Sequence, residues 1–95
     1  MNESRPFDAS LVGKRLQAIR AHFELSQSKF GRLTGTTVTR ISNWENGRQR
    51  PSMEAAKEIV DAFDLTLDWL MLGRCDERLS LYRHLATAEA KISAG

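Results

Sequence analysis

The chain has a single cysteine, Cys75, so it holds no internal disulfide, and with His22 and His84 far away in sequence no cysteine-based zinc motif can be assembled. Cys75 reads as a small helix-end residue. No run of about 18 apolar residues occurs, which leaves no candidate for a membrane-spanning helix. The N-terminus lacks the basic and apolar regions of a signal peptide, so a cytoplasmic protein is expected. Repeats, low-complexity tracts and Pro-rich linkers are also missing, and 95 residues make one domain whose thin core dimerisation would support. Catalytic equipment is absent too: there is no Gly-rich phosphate loop ending in Lys-Ser/Thr, no His-Glu-x-x-His, and no nucleophile with a base. His22 and His84 stand alone on helices as surface or core fillers. Neither an enzyme nor a cofactor or metal site is expected.

What is present is an uneven charge. The net value of +2 argues nothing by itself. From Ser10 to Ser52, however, eight basic residues meet only Glu24 and Glu45, a balance of +6, whereas Met53 to the end carries −3 and Met1 to Ala9 carries −1. The positive charge therefore sits in one segment, where phosphate attraction would be useful.

That segment holds the most informative stretch, Gln27 to Asn46, which reads as two short helices joined by a sharp turn at Gly35. Ser26 can cap the first helix, which is expected to bury Phe30 and Leu33 on one side. Gly35 tolerates the left-handed conformation of a helix C-cap. Thr36 is then available to cap the second helix, which buries Ile41 and Trp44, ends at Gly47, and keeps Thr37, Val38, Thr39 and Asn43 on a polar outward side. Gly31 lies where the two helices must approach closely. This is the layout of a DNA-reading helix-turn-helix.

Packing segments surround it. Leu11 or Val12, Leu16, Ile19 and Phe23 give an apolar stripe on a helix from Asp8 or Ser10 to Phe23, with Gly13 inside it at a cost of about 1 kcal/mol relative to Ala. Ser52 can cap a fourth helix with Ala55, Ala56, Ile59, Val60 and Phe63 inward. Thr66 can cap a short fifth helix, Leu67 to Leu72, closed by Gly73. From Asp76 to Ile92 a further helix is expected, with Leu79, Tyr82, Leu85, Ala86 and Ile92 as an apolar stripe and Arg78, Arg83, Glu89 and Lys91 elsewhere on it. This stripe needs a partner, either its own domain or the same helix of a second subunit.

The residues Val12-Gly13-Lys14-Arg15-Leu16, Ile19-Arg20, Leu25-Ser26-Gln27, Ile41-Ser42-Asn43-Trp44-Glu45-Asn46-Gly47, Arg50-Pro51-Ser52, Leu67-Asp68-Trp69-Leu70 and Gly73 together resemble the lambda-repressor-like (Cro or XRE type) helix-turn-helix family over about Leu11 to Gly73. The resemblance implies an all-α fold, a compact five-helix DNA-binding domain over residues 10–73; the arm over residues 1–9 is expected to be disordered, and the additional C-terminal helix over residues 76–92 lies outside the family's five. It implies a sequence-specific transcriptional regulator, usually a repressor, binding double-stranded DNA as a homodimer on a two-fold symmetric operator.

By the same resemblance Thr37, Val38, Thr39 and Asn43 would face the bases in the major groove. Asn43 suits adenine, Val38 a thymine methyl, and Thr39 a bond or a contact with either. Val38 and Thr39 depart from the long amides that some members carry at these places. Gln27, at a helix start, suits a phosphate through its backbone N–H, and its side chain can brace a base contact. Asn46, Arg48 and Arg50 would lie along the backbone, with Lys14, Arg15 and Arg40 as weaker candidates and Arg5 as a minor-groove arm. Lys29 replaces the Glu that would complete a capping box after Ser26. The family pairs the equivalents of Arg20 and Glu45, and Glu45 at a helix C-terminus would need such a cation in any case. The segment from Leu65 to Trp69 would join the dimer contact, or Trp69 would be core. An alternative reading is an antitoxin that represses its own operon and neutralises a toxin partner through another surface, Asp76 to Ile92 being the candidate; phage or restriction-modification control fits the same fold. A membrane surface is disfavoured by the mixed charge of that last helix.

Overall fold

A computed structural model describes residues 8–74 and 80–94, and these form six helices and no strand. In chain order they are α1 (Ala9–Phe23), α2 (Gln27–Thr34), α3 (Val38–Glu45), α4 (Met53–Ala62), α5 (Leu67–Leu72) and α6 (Ser80–Ala94). Residues 1–7 of the expected arm, with Arg5, and Cys75, Asp76, Arg78 and Leu79, together with the side chains of Tyr82, Arg83 and Ala86, lie outside the described residues; the last two arm residues are not disordered, since Asp8 caps α1 and Ala9 begins it.

The first five helices each start on a side chain that accepts from the free N–H groups of the first turn. Asp8 takes those of Ser10 and Leu11 at 2.8 and 3.2 Å, Ser26 takes Lys29 at 3.0 Å, Ser52 takes Ala55 at 3.0 Å, and Thr66 takes Trp69 at 3.2 Å. At α3 the expected cap moves by one residue. Thr37, rather than Thr36, accepts from Arg40 N at 3.2 Å, because its own carbonyl already receives the first intrahelical bond, from Ile41 at 3.1 Å. Thr36 lies in the turn, where its hydroxyl is buried with no partner among the described residues.

Inside, Val12, Leu16 and Ile19 of α1 meet Phe30, Ile41, Trp44, Ala56, Ile59, Val60, Leu65, Trp69, Leu70 and Met71 in one core. Each large side chain removed from water here contributes about 1.5–3 kcal/mol. Trp69 is 2% exposed and therefore core. Leu33 is not, being 53% exposed. On α2 the buried residues are Phe30, Gly31 and Thr34, so the covered arc turns to the side of Phe30 away from Leu33. Phe23 is also more open than its place on the stripe implies, yet its ring lies 5.1 Å from Phe63, which in turn stacks on Phe30 at 5.5 Å.

The additional helix belongs to the same core. Leu85 is fully buried, with Ala88 and Ile92 partly buried beside it, and α6 makes its main contact with α1. His22 stacks on His84 and Arg15 pairs with Glu89 at 3.7 Å, so the two helices run antiparallel. Arg15, a sequence candidate for the DNA backbone, is instead 7% exposed. Its Nη1 donates to Leu70 O at 3.1 Å, and the absence of a Cβ at Gly73 leaves room for its guanidinium, which such an atom would approach to 2.6 Å.

The position of α3 depends on one stripe of α1. A Cβ on Gly13 would overlap Trp44 O and lie 3.0 Å from Glu45 O, so this glycine lets the two backbones touch. One turn on, Gln17 Nε2 donates to Glu45 O at 3.1 Å. A further turn on, Arg20 grips the Glu45 carboxylate with two bonds, Nε to Oε2 at 2.6 Å and Nη2 to Oε1 at 2.8 Å, while its Nη1 donates to Leu25 O at 3.0 Å. The bond to Glu45 raises the Arg20 pKa above its ordinary value, against a partial burial that lowers it. A raised pKa means this contribution is complete below the arginine range and is lost only as pH rises beyond it.

Two stability outcomes test this architecture. Arg20→Ala leaves Glu45, whose side chain is 5% exposed, without its cation and is expected to cost about 3 kcal/mol in urea unfolding, the low end for a broken buried pair because Arg20 itself is partly solvated. Leu85→Ala should cost about 3 kcal/mol through lost burial and a cavity; an unchanged urea midpoint would mean that α6 does not share the core.

Candidate nucleic-acid interface

Two short helices at a sharp angle define the candidate surface. Gly35 turns the chain at φ +74°, and Gly31 lets α2 meet the turn and α3, since a Cβ there would come within 2.7 Å of Thr36 O and 3.3 Å of Ile41 Cδ1. Ile41, Trp44 and Glu45 point inward from α3, three and four residues apart. The opposite side is left outward.

On that side Thr37, Val38 and Thr39 are exposed and Asn43 is half-buried. Val38 is 45% exposed, an apolar side chain at the helix start that the rest of the chain covers only in part. The Asn43 amide and the Thr39 hydroxyl make no hydrogen bond among the described residues, and Thr37 uses its oxygen only as an acceptor for the cap. Three of the sequence candidates, Val38, Thr39 and Asn43, thus lie on the outward side of α3, and the fourth, Thr37, is its exposed N-cap.

The following loop is folded back on the helix. Arg48 N and Gln49 N donate to Asn43 O at 3.0 and 3.4 Å, and Gly47, at φ +74°, supplies the bend. Arg48 and Arg50 are exposed there. Asn46 is exposed too, but its Nδ2 donates to Ser42 Oγ at 3.3 Å, so part of its hydrogen-bonding capacity is used locally.

Gln27 has a different environment from the one its position implies. Its Nε2 donates to Glu45 Oε1 at 3.1 Å, which draws the side chain toward the end of α3. Ser26 is the cap, and the backbone N–H of Gln27, at the first position of α2, has no intrahelical acceptor. Arg40 lines a cleft between α3 and α4 together with Glu54 and Glu58. Lys14 is half-buried on α1.

Gly13 and Gln17 are the site-forming residues that sequence reasoning overlooked. A glycine in the middle of a helix that costs stability is itself a sign of close backbone approach. Gln17 left no comparable mark. Among the described residues no cluster of three His, Cys, Asp or Glu could hold a metal, and no helix is long and apolar enough to cross a membrane.

Comparison with known proteins agrees with this geometry. A family model described as Helix-turn-helix (HTH_3) matches residues 16–70, more than half of the chain. Similar proteins include the HTH-type transcriptional activator BcrR of Enterococcus faecalis, 35% identical over 60 residues that cover 63% of this chain and 29% of the relative. Repressor protein C2 of Salmonella phage P22 is 27% identical over 66 residues, 70% of this chain and 31% of that protein. An uncharacterized HTH-type transcriptional regulator of Haemophilus influenzae is 32% identical over 50 residues, 53% of this chain and 21% of its own length. The chain therefore spans under a third of the length of these curated relatives. No solved structure matches it. The match over residues 16–70 takes in all of α2 and α3 and the Arg20–Glu45 pair that holds them, and the chain belongs to the Cro/C1-type (XRE) helix-turn-helix DNA-binding family.

Proposed function

We propose that this protein is a cytoplasmic transcriptional regulator that reads a two-fold symmetric operator as a homodimer and represses by occupying the DNA. The observation that carries this reading is the outward face of α3, where Thr39 and Asn43 have hydrogen-bonding groups with no described partner and Val38 is nearly half exposed. Its other face is locked into the core.

An α-helix fits the major groove, and residues near its N-terminus reach base edges. In this arrangement Asn43 pairs with adenine through its amide, Val38 covers a thymine methyl, and Thr37 and Thr39 add single contacts. Arg48, Arg50 and Asn46 hold the backbone beside α3, and the Gln27 N–H meets a phosphate at the positive end of α2. The basic balance of residues 10–52 supplies the salt-dependent attraction. Two copies would place their α3 helices about 34 Å apart.

The relatives include both an activator and a repressor, and repression is proposed here because the lambda-repressor-like resemblance implies a regulator that usually acts by occupying the DNA. No observation favours a toxin-neutralising role: Leu85, Ala88 and Ile92 of α6 are packed against the core of the same chain.

Selection from a random-sequence duplex library is expected to enrich an inverted repeat. Asn43→Ala should relax preference at one base pair per half-site by about 1–3 kcal/mol, whereas Arg48→Ala should weaken all sequences alike and lower the salt slope by about 1. Salt-sensitive binding without enrichment, or no binding, would overturn the reading, and a monomer at operator-binding concentrations in sedimentation would remove the two-fold part of it.

A further inference from the structure

Resting on the DNA-reading function proposed above, we infer that Gln17 of α1 is a positioning residue that sets base discrimination by fixing the tilt of α3, without touching DNA itself. The last carbonyls of any helix lack intrahelical donors, and the C-terminal end prefers a cation nearby. The last turn of α3 contains no basic residue and ends on Glu45 instead. The following loop caps Ser42 O, Asn43 O and Trp44 O through its own N–H groups, whereas Glu45 is served from other helices: Arg20 and Gln27 bond the carboxylate, and Gln17 Nε2, at 3.1 Å, bonds the main-chain oxygen.

These donors constrain different things. The carboxylate sits on a rotatable side chain, so its bonds can be kept while the backbone shifts. The Gln17 bond acts on the backbone directly, one turn from the contact between Gly13 and the same carbonyl groups. Together they fix where the end of α3 lies along α1.

An eight-residue helix is about 12 Å long and marginal on its own, so its direction is imposed by its attachments. Near its start α3 is pressed on α2 through Ile41 and Gly31. A displacement of about 1 Å at Glu45, about 6 Å from Ile41 as the fulcrum, therefore swings the helix by roughly 10° and shifts the reading side chains by several tenths of an ångström. A paired contact tolerates about 0.5 Å. Slack at Gln17 would be felt at every base read by α3.

The test uses the full chain and the operator that selection returns, comparing its affinity with that for a scrambled duplex. Gln17→Met keeps the length but removes the donor, and is expected to lower the operator-to-scrambled ratio by about fivefold, spread over all base pairs facing α3, with the salt slope unchanged. Gln17→Lys restores a donor of similar reach and is expected to recover the ratio. A direct DNA contact would instead lose preference at one base pair or change the salt slope, and either result would overturn the inference. So would a wild-type ratio in Gln17→Met, or a loss that Gln17→Lys fails to repair. Circular dichroism on each variant at the assay temperature keeps partial unfolding out of the ratio. Wild-type protein that selects no sequence would overturn the DNA-reading function itself, a result distinct from any difference among the Gln17 variants.

Discussion

A carboxylate at the C-terminal end of a helix faces the negative end of the helix dipole, and Glu45 occupies that place while almost fully buried. Left alone it would oppose folding twice, through desolvation and through the dipole. Both penalties are offset by donors from other parts of the chain: two nitrogens of Arg20, the amide of Gln27, and, on its backbone oxygen, the amide of Gln17. Because these donors come from α1 and α2, Glu45 ties together the three helices that form the reading unit. A buried ion pair often contributes little net stability compared with an apolar replacement. Its value here lies in direction, since a guanidinium fork and a carboxylate meet in one orientation whereas Leu on Leu would meet in many.

The same preference for geometry over maximal packing appears in the glycines. Gly13 and Gly31 lie inside helices, where each costs about 1 kcal/mol relative to Ala. Each permits a backbone contact that a methyl group would block, one between α1 and the end of α3 and one between α2 and the turn before it. α3 is therefore pinned at both ends by close contacts that no side-chain rearrangement can imitate. Stability is recovered elsewhere, and α6 is part of that recovery: Leu85 enters the core, while Arg15, anchored on Leu70 O, reaches Glu89. The added helix packs along α1, and its Ile92 lines one cleft with Gln17, Arg20 and Ser26.

How much of this was legible in the sequence follows from how local each cause is. Helix starts depend on one side chain and the next three residues, so Ser26, Ser52 and Thr66 were readable, the first helix was left open between Asp8 and Ser10, and the slip from Thr36 to Thr37 arose because two adjacent threonines offer the same chemistry. Burial depends on the neighbours, and Leu33 was misplaced because its spacing from Phe30 fits a stripe that Gly31 and Thr34 redirect. Arg15 looked like a surface cation until Gly73 and the carbonyl of Leu70 made room for it. The Arg20–Glu45 pair was legible through the family pattern and the dipole argument together. The amides were not: a Gln on a helix carries no charge or periodicity to announce its partner, so Gln17 went unnoticed and Gln27 was assigned to DNA with no hint of its bond to Glu45.

The reading face has the opposite character. Around the end of α3 the amides of Gln17 and Gln27 and the Arg20 guanidinium are bonded, whereas on its outward side the Asn43 amide and the Thr39 hydroxyl have no described partner and Val38 is nearly half exposed. Such groups are tolerated because they lie at the surface, where water satisfies them at little cost. They can then exchange water for a base edge without first breaking an internal bond, which preserves the energy of recognition for discrimination. An internal bond to Asn43 would rigidify it in one rotamer and subtract from every contact it made. Gln27 illustrates the alternative: with its amide committed to Glu45, it serves the orientation of α3, and what it retains for a phosphate is the backbone N–H. Under the proposed function, the division between committed and uncommitted polar groups separates the residues that aim the helix from those that would read with it.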